Sequence, residues 1–435
     1  MKALGLDIGT TTVSAVVVEN REVLSSLTLK NDSFLPVKQN WERMQSPRRI
    51  CEVGLQAVET LLSRHPNVER IGVTGQMHGI LYLDKAGMPV SPLYTWQDGR
   101  GDQPYREGRT YAQWLSEKTG YSLAAGYGTV THFYNLDRGL VPETAAVMCT
   151  IHDYMAMVLA GKKVPVTDAS DGASLGVFRV DRGVFDREAL ANGGVAPHLL
   201  PQVAGAEPLG LYKGKIPVYP AIGDNQASFL GATGGERDAM VVNVGTGSQF
   251  SVYTPVPLTC PGLELRPFGN GFLLVGASLC GGRAYALLEQ LFRQTVLEMT
   301  GTAPDSCYEA MERLLSQGRP QEVPTLVPLF QGTRQNPLLR GRIGDLSTEN
   351  FTPRHLVWAM LEGMTEELYG MYRQYLDAGG TAGKLVGSGN GIRRNPYLQQ
   401  CMETRFGQPM HLSQCAEEAA TGAALYAAMQ TVCLP

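Results

Sequence analysis

Residues 2–18 read KALGLDIGTTTVSAVVV, and this stretch decides the fold. Two apolar runs, 3–6 and 13–18, flank a polar turn of glycine and threonine, and the second run is rich in β-branched residues. Apolar and β-branched runs on either side of such a turn predict a β-hairpin. Asp7 stands at the end of the first predicted strand, next to the turn.

The residues that follow predict an α/β layer fold. Apolar residues recur at helical spacing over 46–64, where Pro47 can begin a helix, and 71–74 predicts a strand. A second hairpin is predicted at 239–253, about 235 residues after the first, with a Gly-Thr-Gly-Ser turn. This repetition indicates two lobes that each carry one such unit. We expect the boundary near residue 233, which gives domains 1–232 and 233–435.

Composition excludes several classes of function. The 435 residues include 37 Lys and Arg against 41 Asp and Glu, a net charge of -4, which does not suit binding to nucleic acid or to a membrane surface. The eight cysteines are scattered, and no apolar run reaches the roughly 18 residues of a membrane helix. We therefore expect a cytoplasmic protein with a small-molecule ligand and no nucleic-acid or membrane partner.

Three glycine-containing turns could hold a nucleotide. A carboxylate followed by glycine and hydroxyls can bind a hydrated Mg²⁺ and phosphates, as Asp7, Gly9, Thr10 and Thr11 would. The second turn, with Gly245 and Thr246, is chemically the same, although either turn could simply close a hairpin. A third cluster could accept a purine, or could be a closely packed strand-to-helix turn; it consists of Gly387, Ser388, Gly389 and Asn390.

Other polar residues suit catalysis and sugar binding. Asp224 opens a predicted helix near the expected lobe boundary, where it could be a catalytic carboxylate or an ordinary N-cap. Two segments offer polar groups beside aromatic rings, which suits a polyhydroxylated substrate; they contain Gln76, Met77 and His78, and Trp96 and Asp98. His78 taken alone would fit a structural histidine equally well.

These motifs together resemble the FGGY carbohydrate kinases. Six segments are similar to motifs of that family and occur in the family's order. They resemble its first phosphate loop (4–18), two sugar-side segments (75–79 and 96–100), its catalytic-base motif (223–225), its second phosphate loop (245–248) and its adenosine motif (387–390). The resemblance implies a two-lobed ribonuclease-H-like fold, shared with actin, with a cleft between the lobes. It also implies ATP and Mg²⁺, with Asp224 as general base, Asp7 at the metal and Asn225 at the sugar.

Within the family, segments 127–128, 152–154, 167–170 and 197–201 are most similar to sedoheptulokinases. This similarity implies phosphorylation of the terminal primary hydroxyl of a ketose. A xylulokinase, or another pentulose or polyol kinase, is the alternative, because residues 76–79 fit xylulokinases equally well. An actin-like or chaperone-like ATPase, or an inactive sugar-binding regulator, is an alternative of another class. A homodimer is compatible with all of these.

One residue departs from the family pattern. Asp345 stands where a family signature that begins at Gly341 usually has glycine. We expect this departure to affect the local turn and no reacting group.

Overall fold

The computed structural model describes residues 1–205, 207–333, 336 and 338–430. The chain forms two compact units. The first comprises Met1–Glu236, Arg266–Gly271 and the described residues from 415 onward, and the second comprises Arg237–Leu265 and Phe272–Gln414. None of the helices in the described part of the chain is long and apolar enough to cross a membrane.

The first unit contains a mixed sheet with helices and several short ribbons. Its strands are β1 (Lys2–Ile8), β2 (Thr12–Glu19), β3 (Glu22–Lys30), β4 (Met44–Gln45), β5 (Arg70–Gly75), β6 (Leu81–Leu83), β7 (Leu93–Tyr94), β8 (Val147–Cys149), β9 (Val166–Thr167), β10 (Phe178–Arg179), β11 (Val184–Phe185), β12 (Gln202–Val203), β13 (Gly210–Tyr212), β14 (Ile216–Val218) and β15 (Ile222–Gly223). Its helices include α1 (Pro47–Arg64), α2 (Tyr111–Thr119), α3 (Gly128–Asp137), α4 (Ile151–Leu159), α5 (Ala169–Leu175), α6 (Arg187–Asn192) and α7 (Asp224–Thr233), with 3-10 turns at Gly99–Asp102 and Pro197–Leu199.

The second unit is built around a six-stranded sheet. The remaining strands of the chain are β16 (Ala239–Val244), β17 (Ser248–Thr254), β18 (Glu264–Phe268), β19 (Gly271–Ser278), β20 (Thr325–Val327), β21 (Arg342–Gly344), β22 (Lys384–Ser388) and β23 (Met410–Leu412). The helices are α8 (Gly282–Thr300), α9 (Tyr308–Ser316), α10 (Pro353–Asp377), α11 (Asn390–Arg393) and α12 (Pro396–Phe406). The last helix, α13 (Glu418–Met429), belongs to the first unit.

Both units repeat one arrangement of strands. In the first, the β1–β2 hairpin lies beside β5, which runs parallel to β1, in a sheet of order β13-β14-β5-β1-β2-β3 with β15 also paired to β5. In the second, the β16–β17 hairpin lies beside the parallel strand β22, in the order β18-β19-β17-β16-β22-β23. The structure therefore confirms the predicted hairpins and the parallel strands that follow them. These elements could be predicted because local alternation and turn residues encode them.

Helix boundaries also follow local signals. Ser46 caps α1 by accepting a hydrogen bond from the Arg49 backbone N–H (3.3 Å), and Pro47 occupies the first turn. The inner face of α1 includes Ile50, Val53 and Val58, which join the apolar core beneath β1 and β2. A separate core in the second unit gathers side chains from β16, β17 and α10.

The end of the chain returns to the first unit. Helix α13 packs against α7, β1 and β5. Gly5 and Gly72 allow this close approach, because a side chain at either position would overlap the backbone oxygen of Ala420 or Ala423. The predicted domain ranges of 1–232 and 233–435 assign α13 to the second lobe and so differ from the observed units.

Asp345 takes the backbone conformation that glycine would favour, with φ of +59°. Its carboxylate accepts a hydrogen bond from Thr325 Oγ1 (2.5 Å), and its carbonyl accepts one from Asn350 Nδ2 (2.8 Å). These contacts hold the turn despite the missing glycine, so the departure leaves the left-handed turn intact.

Candidate active site

The carboxyl ends of three parallel strands meet at one edge of the first unit's sheet. Asp7 on β1 lies opposite Thr74 on β5, and Ile222 on β15 lies opposite the same Thr74. The residues at or just after these strand ends are therefore neighbours, although they are far apart in sequence. They include Asp7, Gln76 and Asp224.

Asp7 interacts electrostatically with Asp224 and with Glu417, which precedes α13. Burial raises the pKa of the Asp7 carboxyl to about 7, and the negative charges of Asp224 and Glu417 add to this shift. Carboxylates that repel each other in this way are stabilised by a proton or a cation. This edge of the sheet can therefore attract a divalent cation.

Asp224 is the first residue of α7, but its side chain does not cap the helix. The N-cap is Gly223, without a side-chain capping bond, so the N-cap alternative for Asp224 is not supported. Burial raises the pKa of Asp224, whereas Arg266, His152 and a hydrogen bond from Asn225 Nδ2 (2.7 Å) lower it. These groups favour a partly exposed carboxylate that can accept a proton.

The loop after β1 is held from several sides. The Asn31 backbone N–H donates to the Thr11 carbonyl (2.9 Å), and Asn31 Nδ2 donates to the Gly9 carbonyl (2.8 Å). Thr10 Oγ1 accepts a hydrogen bond from the indole Nε1 of Trp96 (3.1 Å). These contacts fix the backbone of the loop and leave the Thr10 and Thr11 side chains at least partly exposed.

Gln76 is 4% exposed, and other protein groups engage its amide. Its Nε2 donates to Gln45 Oε1 (2.9 Å), and its Oε1 accepts from Thr10 Oγ1 (3.4 Å). This placement supports a role in holding the loop after β1. A direct contact between Gln76 and a substrate stays a prediction.

Trp96 and Asp98 are close in sequence but differ in exposure. Trp96 is 46% exposed, whereas Asp98 is 1% exposed and forms a buried ion pair with Arg100 (2.7 Å). Asp98 also accepts a hydrogen bond from the Arg43 backbone N–H (2.9 Å), and the Arg100 guanidinium lies 3.9 Å from the centre of the Tyr94 ring. The geometry leaves Trp96 available to a ligand and gives Asp98 a structural role, which disfavours its predicted contact with substrate.

Met77 lies beside the residues that flank Asp224, and His78 follows it in the segment after β5. Met77 is buried, and its sulfur is 3.3 Å from Asn225 Nδ2 and 3.7 Å from Arg266 Nη1. His78 is partly exposed and stacks on Tyr127 with ring centres 4.6 Å apart. Met77 therefore reaches the strand end that carries Asp224.

In the second unit, two of the predicted nucleotide loops follow adjacent parallel strands. Asn243 on β16 lies opposite Ser388 on β22, and Asn243 Nδ2 donates to Ser388 Oγ (2.6 Å). The loop containing Gly245 and Thr246 therefore lies beside the turn containing Gly387, Gly389 and Asn390. Gly389 has φ of +82°, and a β-carbon there would lie 2.5 Å from the Val244 carbonyl oxygen, so this turn requires glycine.

The donor set fits a mostly hydrated metal ion. Within residues 1–205, 207–333, 336 and 338–430, no group of three or more His, Cys, Asp and Glu side chains is arranged to hold a metal ion. Mg²⁺ usually keeps several waters and binds through one or two carboxylates together with phosphate oxygens. Asp7, whose pKa is raised by burial and by neighbouring carboxylates, fits such a site.

A cavity of about 820 Å³ lies elsewhere in the second unit. Its walls come from residues 323–329, α10 and α12, and include none of the residues assigned above to nucleotide or sugar. We assign the site to the strand ends rather than to this cavity, because the acidic residues and the glycine loops lie there.

Three charged or titratable residues near Asp7 and Asp224 were not identified from the sequence. His152 lies in a segment that carried the family resemblance, but no role was expected for it. Arg266 and Glu417 had no sequence signal, because each approaches the site only through the tertiary fold.

Comparison with known proteins gives matches along almost the whole chain. A model of the N-terminal domain of the FGGY family of carbohydrate kinases matches residues 2–231, and one of the C-terminal domain matches residues 240–431. Sedoheptulokinases of Mus musculus and Homo sapiens are 30% and 29% identical to this chain, over 97% of it and 96% of each relative. The structure of a xylulose kinase from Rhodospirillum rubrum superposes with a TM-score of 0.82 at 20% identity, covering 99% of this chain and 90% of that one.

Proposed function

Since the chain belongs to the FGGY family of carbohydrate kinases and is an ATP-dependent sugar kinase, we propose that it phosphorylates the terminal primary hydroxyl of a ketose. The proposed substrate is sedoheptulose and the product sedoheptulose 7-phosphate. Similarity to two sedoheptulokinases along almost the whole chain supports this choice. The observation that carries the proposal is the convergence of Asp7, Asp224 and the residues after β5 at one sheet edge.

Asp224 is the proposed general base. It accepts the proton of the terminal hydroxyl as the oxygen attacks the terminal phosphorus of ATP, and the bond from that phosphorus to its bridging oxygen breaks. Arg266, His152 and Asn225 favour the ionised form of Asp224 that this step requires. Because phosphoryl transfer has a loose transition state, orientation of the hydroxyl is a large part of the contribution of Asp224.

Each unit carries residues that this proposal assigns to ATP. Gly9, Thr10 and Thr11 bind phosphate oxygens, as do Gly245 and Thr246, while the turn at 387–390 accepts the adenosine. Asp7 would hold Mg²⁺ through water, and the ion would neutralise charge on the phosphates. Asp7 itself contributes a fixed carboxylate beside the loop after β1.

The sugar is recognised at its other end by exposed groups of the first unit. Trp96 offers a broad ring face and His78 offers polar atoms there, whereas Asn225 offers polar atoms beside Asp224. A seven-carbon ketose has more hydroxyl groups to pair with polar groups of the protein than a five-carbon one. A site shaped for sedoheptulose therefore leaves some of its polar groups unpaired when xylulose is bound. The homodimer and the cytoplasmic location remain predictions from sequence.

The test compares sedoheptulose with xylulose at equal MgATP. We expect kcat/KM to be at least about tenfold higher for sedoheptulose, because each unpaired buried polar group costs roughly 1–3 kcal/mol. Nuclear magnetic resonance of the product should place the phosphate on the terminal carbon. A preference for xylulose would transfer the assignment to a xylulokinase, and ATP turnover that no sugar stimulates would contradict sugar kinase activity.

A further inference from the structure

Helix α5 contacts the backbone next to two residues of the candidate site. Ser170 Oγ accepts a hydrogen bond from the Gly223 backbone N–H (3.1 Å), directly before Asp224. Ser174 Oγ accepts one from the His78 backbone N–H (3.3 Å), and the Ser174 carbonyl oxygen lies 2.6 Å from His78 Nδ1. Because Ser170 and Ser174 are four residues apart, they lie on the same face of α5.

The helix that carries these serines is itself firmly held. Asp168 caps α5 by accepting hydrogen bonds from the backbone N–H (2.8 Å) and the hydroxyl (2.6 Å) of Ser170. His152 Nε2 lies 2.8 Å from Asp171 Oδ2, which ties α5 to the first turn of α4. At the other end, Thr129 Oγ1 donates to the Leu175 carbonyl (2.9 Å). A helix anchored in this way can act as a fixed reference for the segments that bind to it.

Each of the two site segments needs such support. The Gly223 peptide is the N-cap position of α7, and its orientation sets the direction in which Asp224 leaves the backbone. On the other side of the same strand, Thr74 Oγ1 donates to the Ile222 carbonyl (2.7 Å). His78 has φ of +72°, which is costly for a residue with a side chain and persists only where neighbouring groups fix it.

We propose that α5 positions both ends of the sugar site, with Ser170 as a positioning residue for Asp224 and Ser174 as one for His78. This inference rests on the proposed function, because it assigns Asp224 to the reacting hydroxyl and His78 to the far end of the sugar. The spacing between the two serines then fixes the distance between the base and the group that binds the sugar. Neither serine touches the substrate.

The first test removes the Ser170 hydroxyl. In Ser170→Ala the Gly223 N–H loses its acceptor, so Asp224 shifts from its aligned position. We expect kcat to fall about tenfold or more while KM for the ketose changes less than about twofold, since misplacement of a reacting group affects the chemical step. Ser170→Thr keeps the hydroxyl and should restore most of kcat.

The second test removes the Ser174 hydroxyl. Ser174→Ala weakens the support of His78, so we expect KM for the ketose to rise about fivefold or more with kcat changed less than about twofold. The matched control is Ser116→Ala in α2, because Ser116 Oγ also accepts a backbone hydrogen bond, from Leu123 (3.1 Å), but contacts no site segment. This control should leave both kinetic constants unchanged.

The split between kcat and KM separates positioning from general destabilisation. Hydrogen exchange should be faster at the Gly223 amide in Ser170→Ala and at the His78 amide in Ser174→Ala, each relative to wild type. Equal losses in both constants for the two variants, or an unchanged kcat in Ser170→Ala, would overturn the inference and leave the proposed function standing. A wild-type protein without ketose-dependent ADP release would overturn the proposed function, and the positioning roles with it.

Discussion

Replacing Asp224 with asparagine tests the proposed chemistry most directly. The substitution keeps the size of the side chain, and the amide oxygen can still accept the hydrogen bond that Asn225 Nδ2 donates to Asp224 Oδ1 over 2.7 Å. The peptide that joins Ile222 to Gly223 is held by Thr74 and Ser170, independently of the Asp224 side chain. The variant therefore removes a proton acceptor from an otherwise unchanged site.

The expected magnitude follows from what the carboxylate supplies. A positioned general base contributes roughly 100-fold to 10,000-fold, and we expect kcat of Asp224→Asn to fall by about 100-fold or more. A 100-fold loss corresponds to about 2.7 kcal/mol of transition-state stabilisation. Binding of the sugar should change little, because the groups that would bind its other end, Trp96 and His78, are untouched.

The same substitution should not destabilise the fold. Burial raises the pKa of Asp224, which means that the ionised carboxylate is less favourable in the folded than in the unfolded protein. Neutral asparagine avoids this cost, and it also removes one of the charges that raise the pKa of Asp7. We therefore expect the Tm at pH 8 to be equal to or higher than that of the wild type.

The assay measures ADP release with sedoheptulose at saturating MgATP, together with calorimetric binding of the sugar and thermal unfolding. The control is Asp186→Asn, because Asp186 is a true N-cap that accepts a hydrogen bond from the Ala189 N–H (3.0 Å), and asparagine caps equally well. This control should keep its turnover. Near-normal turnover in Asp224→Asn, or an equal loss in Asp186→Asn, would refute the assignment of the base.

Two other predictions concern the metal and nucleotide residues. Because the pKa of Asp7 is raised from 3.8 to about 7, the folded protein holds a proton there that the unfolded chain has lost, so wild-type stability should fall as pH rises from about 4 to 7. Asp7→Asn should lack this fall in stability. The Tm of the variant minus the Tm of wild type, measured without divalent cations, should therefore increase across that pH window. A Tm difference that stays constant would contradict the raised pKa of Asp7. Gly389→Ala should raise KM for ATP about tenfold, because its β-carbon would lie 2.5 Å from the Val244 carbonyl oxygen. Gly379→Ala is the matched control, with φ of +91° and open space around it, and an equal rise in KM there would show that the contact with Val244 is unimportant.

Local sequence patterns predicted the elements that carry the site. The β1–β2 and β16–β17 hairpins, the start of α1 at Pro47 and the position of Asp224 at the start of α7 all depend on turn residues and on short-range alternation. Such signals act over a few residues and are visible in one chain. They also placed Asp7 and the glycine loops next to strand ends, where ligands bind in α/β proteins.

Local patterns did not predict which polar side chains face a ligand. Trp96 and Asp98 are two positions apart, yet the first is exposed and the second is buried in an ion pair with Arg100. Gln76 is likewise buried by its contact with Gln45. The partner of each polar group determines its exposure, and a polar segment in the sequence does not identify that partner.

The tertiary structure alone decided which distant segments surround the acidic pair. Parallel pairing of β1, β5 and β15 brings Asp7 and Asp224 to one edge, and the return of the chain places Glu417 beside Asp7. The tertiary fold also brings Arg266 to Asp224, and Ser170 to the backbone of the preceding Gly223. The sequence determined the hairpins, the turns and the residues with catalytic chemistry, because those depend on neighbours along the chain. The order of strands and the packing of α5 and α13 determined which charged residues and which hydrogen bonds surround the catalytic residues. Burial of apolar faces brings together residues that share no local sequence pattern.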